Sequence, residues 1–305
     1  MASEKTTGIV LRVIPFSETS CIVTLFTRDF GKVTTMAKGA RRPKSPFEAA
    51  LDVLALCRIV FLNKNSDAMG LLTEAKLERR FRSATRSLNR LYAGYYIIEL
   101  LNSLTDDGDP HPELFELSAQ VIKQIDSTEI TEEEVGLALL NYELKMLGIL
   151  GHLPMLTKCV SCGREKTTIA RVSFGLNAGG ILCGACRGSE SNIVSLSPEG
   201  LQFLLEIVGG QIGEQSRNSD NWNGQRQELL SVGENQNSQK ELDGRESFSG
   251  LTGQSPDADN TELLEADATG TDADRCLKEV RRLIHKYITH LLGFQPKLYK
   301  FLGNL

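Results

Sequence analysis

Gly8-Ile-Val-Leu-Arg-Val-Ile14, Cys21-Ile-Val-Thr-Leu-Phe26 and Lys32-Val-Thr-Thr-Met-Ala37 are three short runs rich in β-branched residues, and Asp29-Phe30-Gly31 supplies a turn between the second and third. Period-two alternation of this kind marks half-buried strands joined as hairpins. Two further runs follow the loop Lys38–Ser45, namely Asp52–Leu62 and Met69–Thr73. Five strands within residues 1–75 predict a small barrel of the oligonucleotide/oligosaccharide-binding (OB) kind, although an SH3-like barrel gives the same pattern. The fold class expected is therefore α+β, because the remainder of the chain has a different period.

From Lys76 to Leu104 the apolar residues Leu88, Leu91, Tyr95, Ile98 and Leu101 recur at helical spacing, with Arg79, Arg80, Arg82, Arg86 and Arg90 forming a polar side. A long helix is predicted there. Asp106–Pro112 breaks it, and Pro112 suits the first turn of a helix running to about Asp126. Thr131-Glu-Glu-Glu134 offers a capping box for a third helix containing Val135, Leu139, Leu140, Leu144, Leu147 and Leu150. Ser197-Pro198-Glu199 opens a fourth, ending near Val208, and Arg275–Leu292 forms the last. Residues 76–305 are thus expected to be an all-helical domain around two insertions.

The first insertion, residues 155–190, carries Cys159-Val-Ser-Cys162 and Cys183-Gly-Ala-Cys186. Two C-x₂-C pairs at this separation supply four thiolates for one tetrahedral Zn²⁺, and a site closed by four sulfurs is structural because no position is left for water or substrate. Gly163 and Gly184 are expected to let each pair curl tightly. Redox use would need only one such pair, and a disulfide framework would need an oxidising compartment, to which the opening Met1-Ala-Ser-Glu-Lys-Thr-Thr gives no entry. Without a signal peptide or a membrane-spanning apolar run, a cytoplasmic location is expected. Cys21, Cys57 and Cys276 stand singly in apolar patterns and are expected to be core residues.

The second insertion, residues 209–274, holds fourteen acidic and four basic residues and little apolar periodicity, which predicts a disordered acidic segment. It accounts for more than the whole formal charge of −5, so the rest of the chain is basic. Cations concentrate in three places. Lys32, Lys38, Arg41, Arg42 and Lys44 lie on one hairpin and loop, with Phe16, Phe26 and Phe30 as rings that could stack on bases. Arg79, Arg80, Arg82, Arg86 and Arg90 form the second group, and Arg275, Lys278, Arg281, Arg282, Lys286, Lys297 and Lys300 the third. Any one group is what a solvated helix face or loop also looks like; together they argue for a polyanionic partner. Lys32, Lys38, Arg41, Arg42, Lys44, Arg79, Arg82 and Arg86 are the expected nucleic-acid contacts. No catalytic constellation accompanies them: His111, His152, His285 and His290 are scattered, with neither a phosphate-binding Gly-rich loop nor an H-E-x-x-H motif.

In order along the chain, Gly8–Arg12, Phe30-Gly-Lys32, Ala37-Lys-Gly-Ala-Arg-Arg42, Tyr96-Ile-Ile-Glu-Leu100, Leu147–Pro154 leading into Cys159–Cys162, Phe174-Gly, Gly179–Cys183, and Tyr287 with His290–Lys297 resemble the bacterial RecO family of DNA repair and recombination mediators. The resemblance implies an N-terminal OB barrel, a helical C-terminal domain and a zinc finger inserted between helices. It further implies a non-enzymatic protein that binds single- and double-stranded DNA and anneals complementary strands coated with single-strand-binding protein. Such a protein works with RecR to load RecA and is nucleoid-associated. The chain departs from the family in its acidic insertion and in Leu298-Tyr299-Lys300, where members often have Ser followed by a basic residue. The alternative left by the residues is a zinc-stapled adaptor that binds mainly proteins.

Overall fold

A computed structural model describes residues 2–43, 45, 47, 50–63, 69–165, 171–213 and 272–303. Five strands open the chain: β1 (Ala2–Pro15), β2 (Cys21–Thr27), β3 (Gly31–Ala37), β4 (Leu56–Asn63) and β5 (Gly70–Arg79). Their order is β1-β2-β3-β5-β4, and β4 pairs back onto β1, so the sheet closes on itself. Closure depends on the length of β1, whose first half pairs with β4 (Ala2↔Asn63 to Ile9↔Leu56) and whose second half pairs with β2 (Gly8↔Thr27 to Pro15↔Cys21). An irregularity between Val10 and Arg12 bends the strand where it changes partner. β3 and β5 pair in parallel through Thr35↔Gly70 to Ala37↔Leu72. Val10, Val23, Leu25, Ile59, Phe61 and Leu72 fill the interior.

The helices are α1 (Leu88–Leu104), α2 (Pro112–Ile125), α3 (Glu132–Ile149), α4 (Pro198–Gly213) and α5 (Asp272–Leu292). Pro112 opens α2 as expected, and the capping box at Thr131 forms in both directions, with Thr131 Oγ1 accepting from Glu134 N and Glu134 Oε2 accepting from Thr131 N. Ser197 Oγ accepts from Gly200 N at the start of α4.

Three expectations need correction. The helix placed from Lys76 begins only at Leu88, capped by Ser87 Oγ, which accepts from Arg90 N. Residues 76–79 complete β5 against β4, with Cys57↔Leu77 and Leu56↔Arg79. A long-range pairing there overrides local spacing. Strand also extends past the first insertion: β6 (Val172–Gly175) and β7 (Gly180–Leu182) lie inside it, but β8 (Ile193–Leu196), in the part expected to be helical, joins them in a sheet ordered β7-β6-β8 between α3 and α4. Finally, helix reaches into both ends of the acidic segment, to Gly213 and from Asp272, while residues 214–271 lie outside the described residues.

The closed sheet and the helices share a core. Ile9, Leu11, Phe26, Leu54 and Phe81 pack with residues of α1, α2 and α3, and the Phe26 and Phe115 rings lie 6.2 Å apart. The α1–α2 loop runs against the turn that begins β3: Gly108 N donates to Lys32 O at 2.9 Å. Gly31 sits there at φ +63, and a Cβ would stand 2.1 Å from Asp109 O. Strain and collision act together at that position, so Gly31→Ala is expected to cost about 2 kcal/mol or more of unfolding free energy. Urea unfolding checks this, and an unchanged midpoint would refute the tight contact.

The C-terminal segment is tied down by Glu99 of α1, whose carboxylate accepts from Lys297 N at 2.8 Å and Leu298 N at 3.0 Å. Phe301 stacks on Tyr92 at 4.5 Å. Among the described residues no helix is long and apolar enough to cross a membrane.

Candidate metal centre and nucleic-acid interface

The four cysteines of the sequence pattern meet. Their sulfurs all lie within 4.8 Å of one another, and Cys162 Sγ and Cys183 Sγ are 3.7 Å apart. Four sulfurs held about 2.3 Å from a central Zn²⁺ at tetrahedral angles stand about 3.8 Å from each other, so the donor set and its spacing fit that ion. Two backbone turns produce the geometry. In the first, Gly163 N donates to Cys159 O at 2.8 Å and Gly163 takes φ +71, as a left-handed turn requires. In the second, Cys186 N and Arg187 N both donate to Cys183 O. Gly184 is not left-handed, so its expected conformational role is absent.

The three-stranded sheet sets the two turns against each other. Val160 N donates to Ile181 O at 3.0 Å, and Ile181 N donates to Met155 O at 2.9 Å, so β7 supports both. Behind it, Phe174 packs edge-on against Tyr287 of α5 at 5.5 Å. Cys159 is buried, which by itself raises its thiol, but backbone amides of Cys183, Cys162 and Ser161 donate to its sulfur and bring it down to about 6. Cys186, hydrogen-bonded to Cys183 and Cys162, is pushed up to about 12. Cys183 is lowered as well, by hydrogen bonds from Cys186, so the crowded thiols are pushed apart in acidity; a divalent ion ligated by all four would hold them deprotonated together.

The basic residues divide sharply. Lys38, Arg41 and Arg42 are exposed on the loop after β3. Arg41 is anchored to the β1–β2 turn, its amide donating to Thr19 O at 3.0 Å and its Nη1 to Ser17 O at 2.8 Å. Phe16, on that turn, is 60% exposed. Lys44 lies outside the described residues.

Lys32 is not available as expected. Its Nζ donates to Asn102 O at 2.9 Å and Thr105 O at 2.8 Å and pairs with Asp107 at 3.5 Å, so it caps the C-terminus of α1. Phe26 is fully buried, and Phe30 packs edge-on against Phe61 at 5.4 Å, which leaves Phe16 as the exposed ring of the three.

Apart from Arg90 on α1, the second basic group lies on the end of β5 and the turn after it instead of on a helix face. Arg82 and Arg86 are exposed. Arg79 is half-buried, donates to Ala119 O at 2.7 Å, and has its guanidinium pushed down by burial, against which Asp126 and Glu78 act. Arg80 pairs with Asp52 at 3.2 Å. Arg90 turns inward, its Nε on Glu132 at 2.9 Å and its other nitrogens on the carbonyls of Ile125, Ser127 and Ile130. Asp126, which no local pattern singles out, accepts from the amides of Arg82 and Ser83 at 2.7 Å each and so fixes this turn from 43 or more residues away. In the third group Arg275, Lys278, Arg282 and Lys286 share an exposed face of α5, whereas Arg281 is buried. Of the single cysteines, Cys21 and Cys57 are buried and Cys276 is intermediate.

Two family models match, "Recombination protein O N terminal" over residues 1–81 and "Recombination protein O C terminal" over residues 85–229. The DNA repair protein RecO of Rhodopirellula baltica is 48% identical over 202 residues, covering 66% of this chain and 73% of that relative. The chain belongs to the RecO family. The RecO proteins of Halalkalibacterium halodurans (36% identical, 66% of this chain and 75% of the relative) and Listeria innocua (31%, 67% and 76%) are also similar. Each match spans about two thirds of this RecO-family chain. The division between the two family models falls in residues 82–84, within the turn fixed by Asp126.

Proposed function

We propose that the protein is a DNA repair and homologous recombination mediator. In this reading it binds single- and double-stranded DNA, anneals complementary strands, and helps load RecA onto DNA coated with single-strand-binding protein, in concert with RecR. Membership of the RecO family carries the reading, and the exposed cations Lys38, Arg41 and Arg42 beside the exposed ring of Phe16 support it. The closed five-stranded sheet is taken as an OB barrel and as the DNA-binding part. The rest forms a C-terminal part stapled by one structural Zn²⁺ on Cys159, Cys162, Cys183 and Cys186, and the protein works at the cytoplasmic nucleoid. Lys32 is withdrawn from the contact set because its ammonium is engaged in the fold.

Annealing needs no catalytic residue. Cations reduce the repulsion between two polyanionic strands, and sequence-independent contacts let them slide into register before base pairing takes over. Lys38, Arg41, Arg42, Arg82 and Arg86 are the exposed members of the expected contact set among the described residues, and the exposed basic face of α5 adds to them. The decisive experiment is annealing of complementary oligonucleotides, bare and coated with single-strand-binding protein. With about five phosphates neutralised on single strands, affinity should fall about 10³-fold between about 0.05 and 0.5 M salt. Salt-independent binding, or no annealing of either substrate, would refute the proposal. Charge reversal at Arg41 and Arg42 should abolish binding to bare oligonucleotides; retained binding would move the interface elsewhere.

A further inference from the structure

The end of β5, the turn 80–86 and the α2–α3 connection enclose a cleft of about 450 Å³. Its lining holds four arginines, Arg79, Arg80, Arg82 and Arg86, against two acids, Glu78 and Asp126. Both acids are engaged: Glu78 pairs with Arg58 at 2.7 Å, and Asp126 accepts the amides of Arg82 and Ser83. Arg80 is paired with Asp52. Asp126 keeps its charge beside Arg79, so against it Arg79, Arg82 and Arg86 leave the cleft a net positive field of about two charges. The half-buried Arg79 has already lost part of its hydration, so an anion reaching it is screened less than one on an open face.

The C-terminus of α2 would ordinarily oppose an anion there. Arg90 offsets this by donating to Ile125 O, the last carbonyl of α2, and to Ser127 O just beyond it, while the amides of Asp126 and Ser127 take Ile122 O and Gln124 O.

A concave site lined by several arginines suits a compact dianion better than a strand passing through. A phosphomonoester at a strand end carries about −1.5 to −2 charge and three acceptor oxygens, which guanidiniums engage with paired hydrogen bonds. Internal phosphodiesters carry one charge each and continue on both sides. We propose that this cleft receives the terminal phosphate of a DNA strand, giving the protein a preference for phosphorylated ends. The inference rests on the DNA-binding reading above.

The test compares oligonucleotides of one sequence bearing a 5′-phosphate, a 3′-phosphate or hydroxyls at both ends, with inorganic phosphate as competitor. One phosphorylated form should bind about fivefold or more tightly than the hydroxyl form, from the added charge and donors engaged. Arg82→Ala with Arg86→Ala, both on the exposed turn, should reduce the ratio to about one. Lys278→Ala with Lys286→Ala, which removes equal charge from α5, should weaken all forms and leave the ratio in place. Inorganic phosphate should erase the ratio before it displaces hydroxyl-ended DNA. Equal binding of all three forms, or a ratio that survives the Arg82/Arg86 variant, overturns the end-phosphate site and leaves DNA binding standing. Failure to bind any form removes both.

Discussion

Replacing Cys162 with serine is expected to abolish metal binding at the four-sulfur centre and unfold the two turns that carry the cysteines, because most of those sulfurs lie outside the core. Cys159 is buried, but Cys162 is exposed and Cys183 and Cys186 are only partly buried, so the core gathers one sulfur of the four. Leu153, Met155 and Val160 are exposed apolar residues around the centre. The sheet behind them is anchored on its own, with Leu156, Val172, Phe174 and Ile181 in the main core, so the loss falls on the two cysteine turns. Structural Zn²⁺ contributes on the order of 10 kcal/mol to small units of this kind, more than the whole stability of many domains. Metal analysis of the purified protein should therefore fall from one equivalent towards zero in Cys162→Ser, with a large drop in melting temperature. DNA affinity should fall only as a consequence. A variant that loses its metal and melts where the parent does would show that the centre is not a staple.

The second large effect is a pH dependence of stability with two opposed parts. Glu143 of α3 is buried and accepts from Tyr96 Oη at 2.6 Å. Burial pushes its carboxyl up to about 7, with the Tyr96 hydrogen bond and Arg281 pulling the other way. His285 of α5 is buried, its ring stacked on Tyr299 with centroids 3.2 Å apart, and burial followed by the charge of Arg281 pushes it down to about 4.

An acid raised above its ordinary value of 4.5 contributes stability that is complete below that pH and lost as pH climbs to about 7. A histidine lowered from 6.5 contributes stability that is complete above that pH and lost as pH falls to about 4. Between about pH 4.5 and 6.5 the two slopes cancel. Glu143→Gln should therefore uncover the histidine slope of about 1.4 kcal/mol per pH unit. Relative to the parent, the variant should gain about 3 kcal/mol between about pH 4.5 and 7. Urea unfolding across that range measures it. Parallel curves for parent and variant would mean that Glu143 stays ionised in the folded state.

Much of this molecule is written locally. Turn glycines, β-branched runs and two C-x₂-C pairs predict the first strands and the metal centre, because those features act over a few residues. The capping box at Thr131 and Pro112 at the head of α2 fix helix starts for the same reason. What the sequence hides is decided across the chain. Lys32 looks like one cation among five until α1 delivers the carbonyls of Asn102 and Thr105 to it, 70 and 73 residues on. Leu77 and Arg79 fit a helical spacing, yet pair with β4 instead. Arg90 looks like a surface charge on α1, but the carbonyls of the α2–α3 connection draw it inward. In each case the cue belonged to a residue far away in sequence, so no window of local pattern contained it.

The seam between the closed sheet and the helices carries one last implication. Phe26 against Phe115, Gly31 against Asp109, Lys32 on the end of α1 and Leu54 over Gly94 fasten the two halves at separate points. Among the described residues these contacts join the two halves as one body. On the proposed function, two DNA strands meeting on it would have to adopt its contour, so the bending and unstacking would fall on the nucleic acid while the protein served as a fixed anvil.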